Sequence, residues 1–445
     1  RIQQMFIISK LNLKEFNLEK ITNYLFILGI FLLPSSLFLG LIFLLPVSII
    51  SSIFNRDNYF KDSWNIPFFI AGLIMIFNAF LQYLNVHESI KDIWNPNLSL
   101  YGLGNWLPFF WIFWSLTPFV NSPEKRKRFA FALIAGTFPV LISGFGQYYF
   151  NWNGPLKILN GLIIWYQPPL EGTKAMTGLF SNPNYTGSWL NLVWPLCIAA
   201  VLEKSKKLFN KTFAISFLLG IGFAIYLTNS RAGWTGLLVS FPLVIGQRGL
   251  MLFLPLFLIL LGSIIYAISP IFSGEFQDIL RIIIPENILK INSKIAFENL
   301  DVNRLEILLS ALKIIKIEPL IGLGAASFTV LYYSKTGFWK GHSHNLLTEL
   351  AISYGIPSTI IIFTTISILL LISGYVIFIN KNHDFNNNFF DRACWASILF
   401  FLISQTVDIQ YFDGKISLIF WILLAALKCI INENKCSYKE LKFRG

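Results

Sequence analysis

The sequence predicts an all-α polytopic membrane protein with about 12 transmembrane helices. Of its 445 residues, 55% are hydrophobic and 13% are charged, about half the charged share of a typical soluble domain. Runs of 18 or more mostly apolar residues recur along the chain, and each is long enough to cross a bilayer as a helix. We therefore expect residues 1–445 to form a single integral membrane domain.

Ten apolar segments are each predicted to cross the membrane once. They cover residues 66–86, 101–120, 129–150, 186–202, 211–228, 232–246, 249–269, 346–379, 392–408 and 414–432. The preceding stretch, 23–54, is longer than the roughly 20 residues that one span needs, and it contains Pro34 and Pro46.

The distribution of basic residues predicts the orientation of the chain in the membrane. The loops EKRKR (124–128) and EKSKK (203–207) are short and basic, which places them in the cytoplasm. The N-terminal stretch is also basic, so an even number of spans must separate it from EKRKR. The stretch 23–54 should then be a helical hairpin, which gives twelve spans with both termini cytoplasmic.

This topology leaves large outer loops over about 151–185 and 270–344. The second carries eight Lys or Arg and seven Asp or Glu residues and precedes the tenth helix. Within it, residues 302–317 should form an amphipathic helix lying on the membrane or on the helical bundle. Its apolar stripe would comprise four leucines at helical spacing, Leu305, Leu308, Leu309 and Leu312.

The net charge of +12 does not predict a nucleic-acid partner, because the basic residues lie mainly in short loops that set topology. Membrane lipids are the expected surroundings. The four cysteines have neither CxxC nor zinc-ligand spacing and are expected to be unreactive core thiols.

Two of the four histidines, His342 and His344, directly precede the helix predicted over 346–379. A neutral imidazole at the outer surface can accept a proton from a hydroxyl group near neutral pH. His344 and Thr348, four residues apart, are predicted to share a face of this helix, whereas Glu349 lies about 140° around the axis and is not an obvious orienting partner for His344. The alternatives are a histidine bound to lipid headgroups, and a His-x-His metal site completed by His87.

Two arginines and an asparagine are further candidates. Arg231 stands in TNSRAGW (228–234) between two apolar segments, where it either reaches headgroup phosphates or grips a substrate phosphate bidentately. Arg304 opens the amphipathic helix and, alone, is an ordinary solvated charge. Asn184 belongs to an Asn-Pro-Asn turn that is a plausible helix cap, and its amide could bind a sugar or pack against the large loop.

Four motifs occur together in one order: TGLFSNPNYTGSWL (177–190), NSRAGW (229–234), an arginine before a helix ending in PLIGLG (319–324), and HN followed nine residues later by GIPST (355–359). In order and spacing, over about 170–380, they resemble the O-antigen ligase and polymerase superfamily of bacterial envelopes. Within it, the chain most resembles the cyanobacterial group labelled as inorganic-carbon (bicarbonate) transporters.

The resemblance implies a metal-independent, inverting glycosyltransferase of the bacterial inner membrane, with no cofactor and a periplasmic active face. The donor would be an oligosaccharide on undecaprenyl diphosphate, and the acceptor a glycolipid or a protein. By resemblance, His344 is the catalytic residue, and Arg231 and Arg304 bind the donor pyrophosphate. Asn345, Asn184 and Gly355 would support them.

One position departs from the pattern of the ligases. Ser358 replaces the second glycine of the Gly-x-x-Gly motif, a change expected to alter helix packing more than chemistry. Two other functions stay open: a bicarbonate transporter or an accessory to one, and a non-catalytic lipid-binding envelope protein. A transporter would place its polar site near the middle of the membrane, often between broken helices.

Overall fold

The computed structural model describes residues 18–170, 175–203, 208–269, 274–283, 304–379 and 388–442. It is 75% helical with almost no sheet, which confirms the all-α polytopic membrane class. In the described ranges, seven helices are long and apolar enough to span a membrane: Leu37–Asn58, Asn65–Leu84, Pro123–Phe150, Pro183–Leu202, Gln247–Ala267, Leu346–Phe378 and Gly414–Asn434. Lys211–Leu227 and Gly233–Ile245 are shorter apolar helices. The count of twelve spans stays a prediction.

The elements follow in chain order. The helices are α1 (18–32), α2 (Leu37–Asn55), α3 (Asn65–Leu84), α4 (Asn97–Tyr101), α5 (Leu107–Ser115), α6 (Pro123–Gly136), α7 (Phe138–Phe150), α8 (Pro183–Leu202), α9 (Leu208–Leu227), α10 (Arg231–Ile245), α11 (Gln247–Ile268), α12 (Glu275–Ile283), α13 (Arg304–Ile315), α14 (Ser327–Thr336), α15 (Leu346–Phe378), α16 (Phe389–Ser404) and α17 (Gly414–Lys442). An antiparallel hairpin, β1 (Leu156–Ile158) and β2 (Ile163–Trp165), lies between α7 and α8.

The stretch 23–54 forms two helices, as the sequence predicts. The chain turns at residues 33–36, next to Pro34, and Ser36 caps α2. Gly29 faces Leu44, and Gly40 faces Leu33, with no room for a side chain at either glycine. The two helices therefore pack antiparallel at close range.

The predicted span 101–120 is divided in the structure. It comprises the end of α4, a 3₁₀ turn over Gly102–Asn105, helix α5 and a second 3₁₀ turn over Thr117–Phe119. A side chain at Gly102 would collide with Ala325 and Tyr354. Gly102 therefore lets this turn pack closely against Ala325 and against Tyr354 of the helix that begins at Leu346.

The EKRKR stretch is helical rather than a free loop, because α6 begins at Pro123 with Ser122 as its cap. Arg126 is fully buried, and its guanidinium donates to Asp391 of α16 at 2.7 Å and to Glu433 of α17 at 2.5 Å. This cluster ties three helices together at the end of the bundle where α6 and α16 begin. Buried free thiols at Cys197, Cys394 and Cys429 agree with the prediction of core cysteines.

The amphipathic helix exists as α13, and a second apolar face, opposite the leucine stripe, packs on the protein. Its buried residues are Ile307, Ala311 and Ile314. The leucine stripe points outward, with Leu305 59% and Leu309 49% exposed, as expected of the alternative in which it faces the membrane. Spacing alone could not separate two apolar faces on one short helix. Residues 284–303 of the predicted outer loop lie outside the described ranges.

Candidate functional site

Five segments, distant in sequence, meet at one end of the bundle, here called the site end. They are the starts of α8, α10, α13 and α15, and the loop 405–413 between α16 and α17. Backbone and side-chain hydrogen bonds join α15 to this loop: the Leu346 amide donates to the Gln405 carbonyl at 3.0 Å, and Asn345 Nδ2 donates to the Thr406 carbonyl at 3.1 Å.

His344 lies just outside α15 rather than on it. Asn345 is the helix cap, and its side-chain oxygen accepts from the amides of Leu347 and Thr348 at 3.0 and 3.2 Å. His344 itself has a left-handed backbone, with φ of 55°, which is uncommon for a residue with a side chain. The predicted face shared with Thr348 is therefore wrong, because the helix begins two residues after His344.

The His344 ring is oriented by Asp408, a residue that sequence analysis did not single out. His344 Nδ1 lies 2.8 Å from Asp408 Oδ1, and Asn184 Nδ2 donates to the other carboxylate oxygen at 2.9 Å. Asp408 stands 64 residues after His344 in the loop between two spans. A carboxylate in a short polar loop was the available signal, but nothing local pairs it with a histidine.

The charge on Asp408 decides which ring nitrogen of His344 carries a proton. Burial alone would raise the pKa of Asp408, but the hydrogen bond from His344 and nearby positive charge, including that of Arg304, outweigh it and hold the pKa below its usual value. An ionised carboxylate only accepts hydrogen bonds, so Nδ1 of His344 must carry the proton. In the neutral ring, Nε2 is then left as the proton acceptor.

His342 packs against His344, with ring centroids 4.6 Å apart and planes at 71°. Its Nδ1 accepts from the backbone amide of His344 at 3.2 Å, so the proton of the neutral ring sits on Nε2. Burial lowers the pKa of His342 to about 4, and the charges of His344 and Arg304 act in the same direction, against that of Asp408. At neutral pH, His342 is therefore an uncharged hydrogen-bond donor beside the base candidate.

The structure places Arg304 next to the hydrogen-bonded pair of His344 and Asp408. It is the first residue of α13, and its Nη1 donates to the carbonyl of Val407, the residue before Asp408. Arg231 is the first residue of α10, at the same end of the bundle. The side chain of Arg231 lies outside the described part of the structure.

Asn184 has a structural partner, since its amide holds Asp408. The predicted cap is confirmed, but the capping residue is Asn182, whose side chain accepts from the Asn184 amide at 2.8 Å. Beside Asn184 lies a cavity of about 260 Å³, whose wall is mostly apolar with several polar side chains. We name it the α8–α10 cavity, and its lining includes Asn184, Ser188, Ser230, Gly233, Ser404 and Gln410. The start of α10, where Arg231 stands, therefore borders the same space as the support of Asp408.

Helix α15 is interrupted at Gly355, and the PLIGLG segment (319–324) packs against this interruption. The φ of Gly355, 83°, is left-handed, and a Cβ there would lie 2.0 Å from the Leu320 carbonyl oxygen. The Ile356 amide donates to Pro319, and the Leu323 amide donates to Ile352, at 2.8 and 2.7 Å. Two motifs that look separate in the sequence thus form one joint that supports the first turns of α15.

Residues outside the motifs complete this joint. Asn78 and Gln82 of α3 donate to the carbonyls of Tyr354 and Ser353 at 2.8 and 3.0 Å. The Ser358 hydroxyl is buried and donates to the Tyr354 carbonyl at 2.9 Å. Ser358 thus satisfies backbone groups freed by the break in the helix, where a glycine would leave them to other donors.

Among the described residues, His342, His344 and Asp408 could hold a metal ion. Each offers one ligand atom, and these atoms lie within 4.8 Å of one another. The His87 of the predicted alternative does not belong to this group. A metal bound through Nδ1 of His344 would have to displace the hydrogen bond to Asp408. The absence of a metal from the reaction stays a prediction.

Comparison with known families gives a match to part of the chain. Residues 214–363 match the family described as O-antigen ligase. The matched segment is about a third of the chain and includes Arg231, Arg304, His344 and Gly355, but neither Asn184 nor Asp408. It supports the superfamily indicated by the motifs and carries nothing specific to bicarbonate transport. No curated protein matches the chain.

Proposed function

We propose that this multi-pass membrane protein, part of which matches the O-antigen ligase family, is a glycosyltransferase acting at the periplasmic face of the bacterial inner membrane. It would move a glycan from an undecaprenyl-diphosphate donor to an acceptor hydroxyl, as an O-antigen ligase or polymerase does. The observation that carries the proposal is the hydrogen bond between His344 and Asp408, which leaves Nε2 as the acceptor.

In the proposed reaction, Nε2 of His344 takes the proton of the acceptor hydroxyl while its oxygen bonds to the anomeric carbon of the donor sugar. The bond from that carbon to the diphosphate oxygen breaks, and the electron pair leaves with the diphosphate. Attack opposite the leaving group inverts the anomeric configuration. Asp408 stabilises the imidazolium that forms, as the carboxylate does in other Asp-His pairs.

The negative charge that develops on the departing diphosphate must be stabilised by positive charge nearby. Arg304 lies against the loop that carries Asp408, and Arg231 begins the helix beside the α8–α10 cavity. We assign both to the donor diphosphate, where guanidinium groups can bind phosphate oxygens bidentately. The donor diphosphate would then enter from the side of the α8–α10 cavity.

A knockout strain tests the proposal against transport. The strain would be complemented with wild type, with His344→Ala, or with His87→Ala as a matched control, because His87 contacts Ser89 in another loop. Surface polysaccharide would be separated on gels, and labelled bicarbonate uptake measured in the same cells. We expect wild type and His87→Ala to restore long glycan, His344→Ala to fail, and uptake to stay constant. Uptake that falls in the knockout while glycan is unchanged would favour the transporter.

A further inference from the structure

A cavity of about 360 Å³ lies at the end of the bundle opposite the site end. Its wall is formed by the start of α1, the end of α2, the turn at Pro118 and Lys125 near the start of α6, and we name it the Lys125 cavity. Helix α16 spans the distance between the two ends. Its first turn contacts Arg126, the neighbour of Lys125, and its last residue borders the loop 405–413. Its 16 residues are about 24 Å long, so the cavity is remote from the candidate site.

The Lys125 cavity opens toward lipid between α1 and α2. The two helices pack closely near their turn, where Gly29 faces Leu44, and the cavity occupies the space between their far ends. Phe54 lines the cavity and is 61% exposed, and it belongs to Leu37–Asn58, one of the helices long and apolar enough to span a membrane. An exposed apolar side chain on such a helix faces acyl chains. A lipid can therefore reach the cavity from the bilayer itself.

Lys125 and Glu19 place opposite charges in this cavity. Nζ of Lys125 lies 3.8 Å from Oε1 of Glu19, which is longer than a hydrogen bond. The same Nζ donates to the Pro118 carbonyl at 2.8 Å, a contact that uses one of the three N–H donors of an ammonium group. The Lys125 side chain is 26% exposed and that of Glu19 is 66% exposed. An ion pair this long and this exposed contributes little to stability, so a ligand can rearrange it at little cost.

The charged and polar groups of the Lys125 cavity fit a zwitterion. A phosphate oxygen can accept hydrogen bonds from the Lys125 ammonium, and a ligand ammonium can donate to the Glu19 carboxylate, and both contacts are charge-assisted. A ligand with one charge alone would satisfy one of these residues and meet like charge at the other. Hydroxyl and amide side chains complete the polar wall: Thr22, Asn23, Ser51 and Asn55. The volume suits a headgroup rather than two acyl chains, which would lie along α2 outside the cavity.

We propose that the Lys125 cavity binds the headgroup of a phospholipid that carries a phosphate and a primary amine, as phosphatidylethanolamine does, with the phosphate on Lys125 and the amine on Glu19. A primary ammonium has three N–H donors, whereas the quaternary ammonium of a choline headgroup has none. Because the EKRKR stretch is predicted to face the cytoplasm, the lipid would come from the cytoplasmic leaflet. This site is independent of the proposed function, and either can fail without the other.

The test uses the full chain, purified in detergent and stripped of lipid. Three phospholipids with identical dioleoyl chains would be added separately: phosphatidylethanolamine, phosphatidylcholine and phosphatidylglycerol. Native mass spectrometry would measure the dissociation constant of the first bound lipid. The cavity variants are Lys125→Met and Glu19→Gln. Glu124→Gln and Arg128→Met are matched controls, because both residues are exposed, belong to the same basic stretch as Lys125 and do not line the cavity.

We expect wild type to bind phosphatidylethanolamine about tenfold more tightly than either of the other lipids. Lys125→Met should weaken that binding about tenfold, the effect of losing one charge-assisted contact. Glu19→Gln leaves the lysine without its acidic neighbour, so phosphatidylglycerol should become the preferred lipid. Both control variants should keep the wild-type preference.

Equal binding of the three lipids by wild type would mean ordinary contact with surrounding lipid and would overturn the site. So would an unchanged preference in both cavity variants. A wild-type preference for phosphatidylglycerol would overturn the assignment of the amine to Glu19. Thermal unfolding identifies misfolded variants, and Glu19→Gln, at a side chain that is 66% exposed, decides the question if Lys125→Met does not fold.

Discussion

Replacing Asp408 with asparagine should nearly abolish transfer while leaving the shape of the site intact. The introduced amide can face His344 either with its oxygen or with its NH₂ group. Asn184 Nδ2 donates to the other position, at 2.9 Å, so it favours an oxygen there. The NH₂ group would then point to His344 Nδ1, and the ring would have to place its proton on Nε2. That tautomer cannot accept the proton of an acceptor hydroxyl.

The expected loss is about 10³- to 10⁴-fold in kcat, or roughly 4–5.5 kcal/mol of barrier, by analogy with other pairs in which asparagine imposes the wrong tautomer. The acceptor and donor KM values should change little, because both carboxylate oxygens are occupied by Asn184 and His344 rather than assigned to a substrate. The assay is transfer by the full chain in lipid nanodiscs, from a lipid-linked oligosaccharide fraction to an envelope glycolipid fraction, both extracted from a strain lacking the gene. Thermal unfolding checks the folding of each variant.

A second substitution tests whether the tautomer of His344 causes the loss in kcat. Asn184→Ala alone should lower kcat only several-fold, because the ionised Asp408 can only accept from His344. Combined with Asp408→Asn, it removes the group that orients the introduced amide, and we expect a partial recovery of about tenfold, the value of one hydrogen bond. An Asp408→Asn variant that keeps more than a tenth of the wild-type kcat would refute the tautomer argument. If the losses in log kcat of the two single variants simply add in the double variant, Asn184 does not orient the introduced amide.

Three further predictions address the joint, the second histidine and metals. Gly355→Ala should lower the free energy of unfolding by about 2–5 kcal/mol, because the φ of Gly355 is left-handed and the new Cβ would meet the Leu320 carbonyl. Chemical unfolding would measure this loss. Gly262→Ala is the control, because no atom lies within 4 Å of a Cβ at that position. The pKa of His342 is lowered to about 4, so the unfolded chain binds more protons between about pH 6.5 and 4 and stability should fall as pH drops through that window. His342→Gln should flatten this part of the melting-temperature profile, and an unchanged slope would contradict it. Chelation with EDTA should leave transfer unchanged, whereas added Zn²⁺ should inhibit by competing for His344 and Asp408; loss of activity on chelation would instead point to a required metal.

The location of the ionisable groups also bears on transport. Asp408, His342, His344 and Arg304 gather at the site end of the bundle, where helices begin and end. A carrier is expected to hold its ligand near the middle of the bilayer, commonly between broken helices. The break at Gly355 is filled by backbone of the PLIGLG segment and by Asn78, which donates to the carbonyl of Tyr354, so it serves packing.

Hydropathy and motif order determined the class of this protein. A window of about 20 residues contains all the information needed to predict a membrane helix, because the bilayer thickness sets its length. The segments from 183 to 269 and from 346 to 432 accordingly form helices close to the predicted bounds. Local signals also located the turn near Pro34 and the candidate His344.

Only the tertiary structure decided which residues act together. Asp408 and Asn184 are 224 residues apart, and Arg126 and Asp391 are 265 apart, so no local pattern pairs them. The side of α13 that packs inward was also undetermined, because both of its faces are apolar. Such pairings depend on which helix ends meet when all the apolar surfaces pack at once. Hydropathy therefore predicts where a chain crosses the membrane, while packing decides which polar groups its helix ends bring into contact.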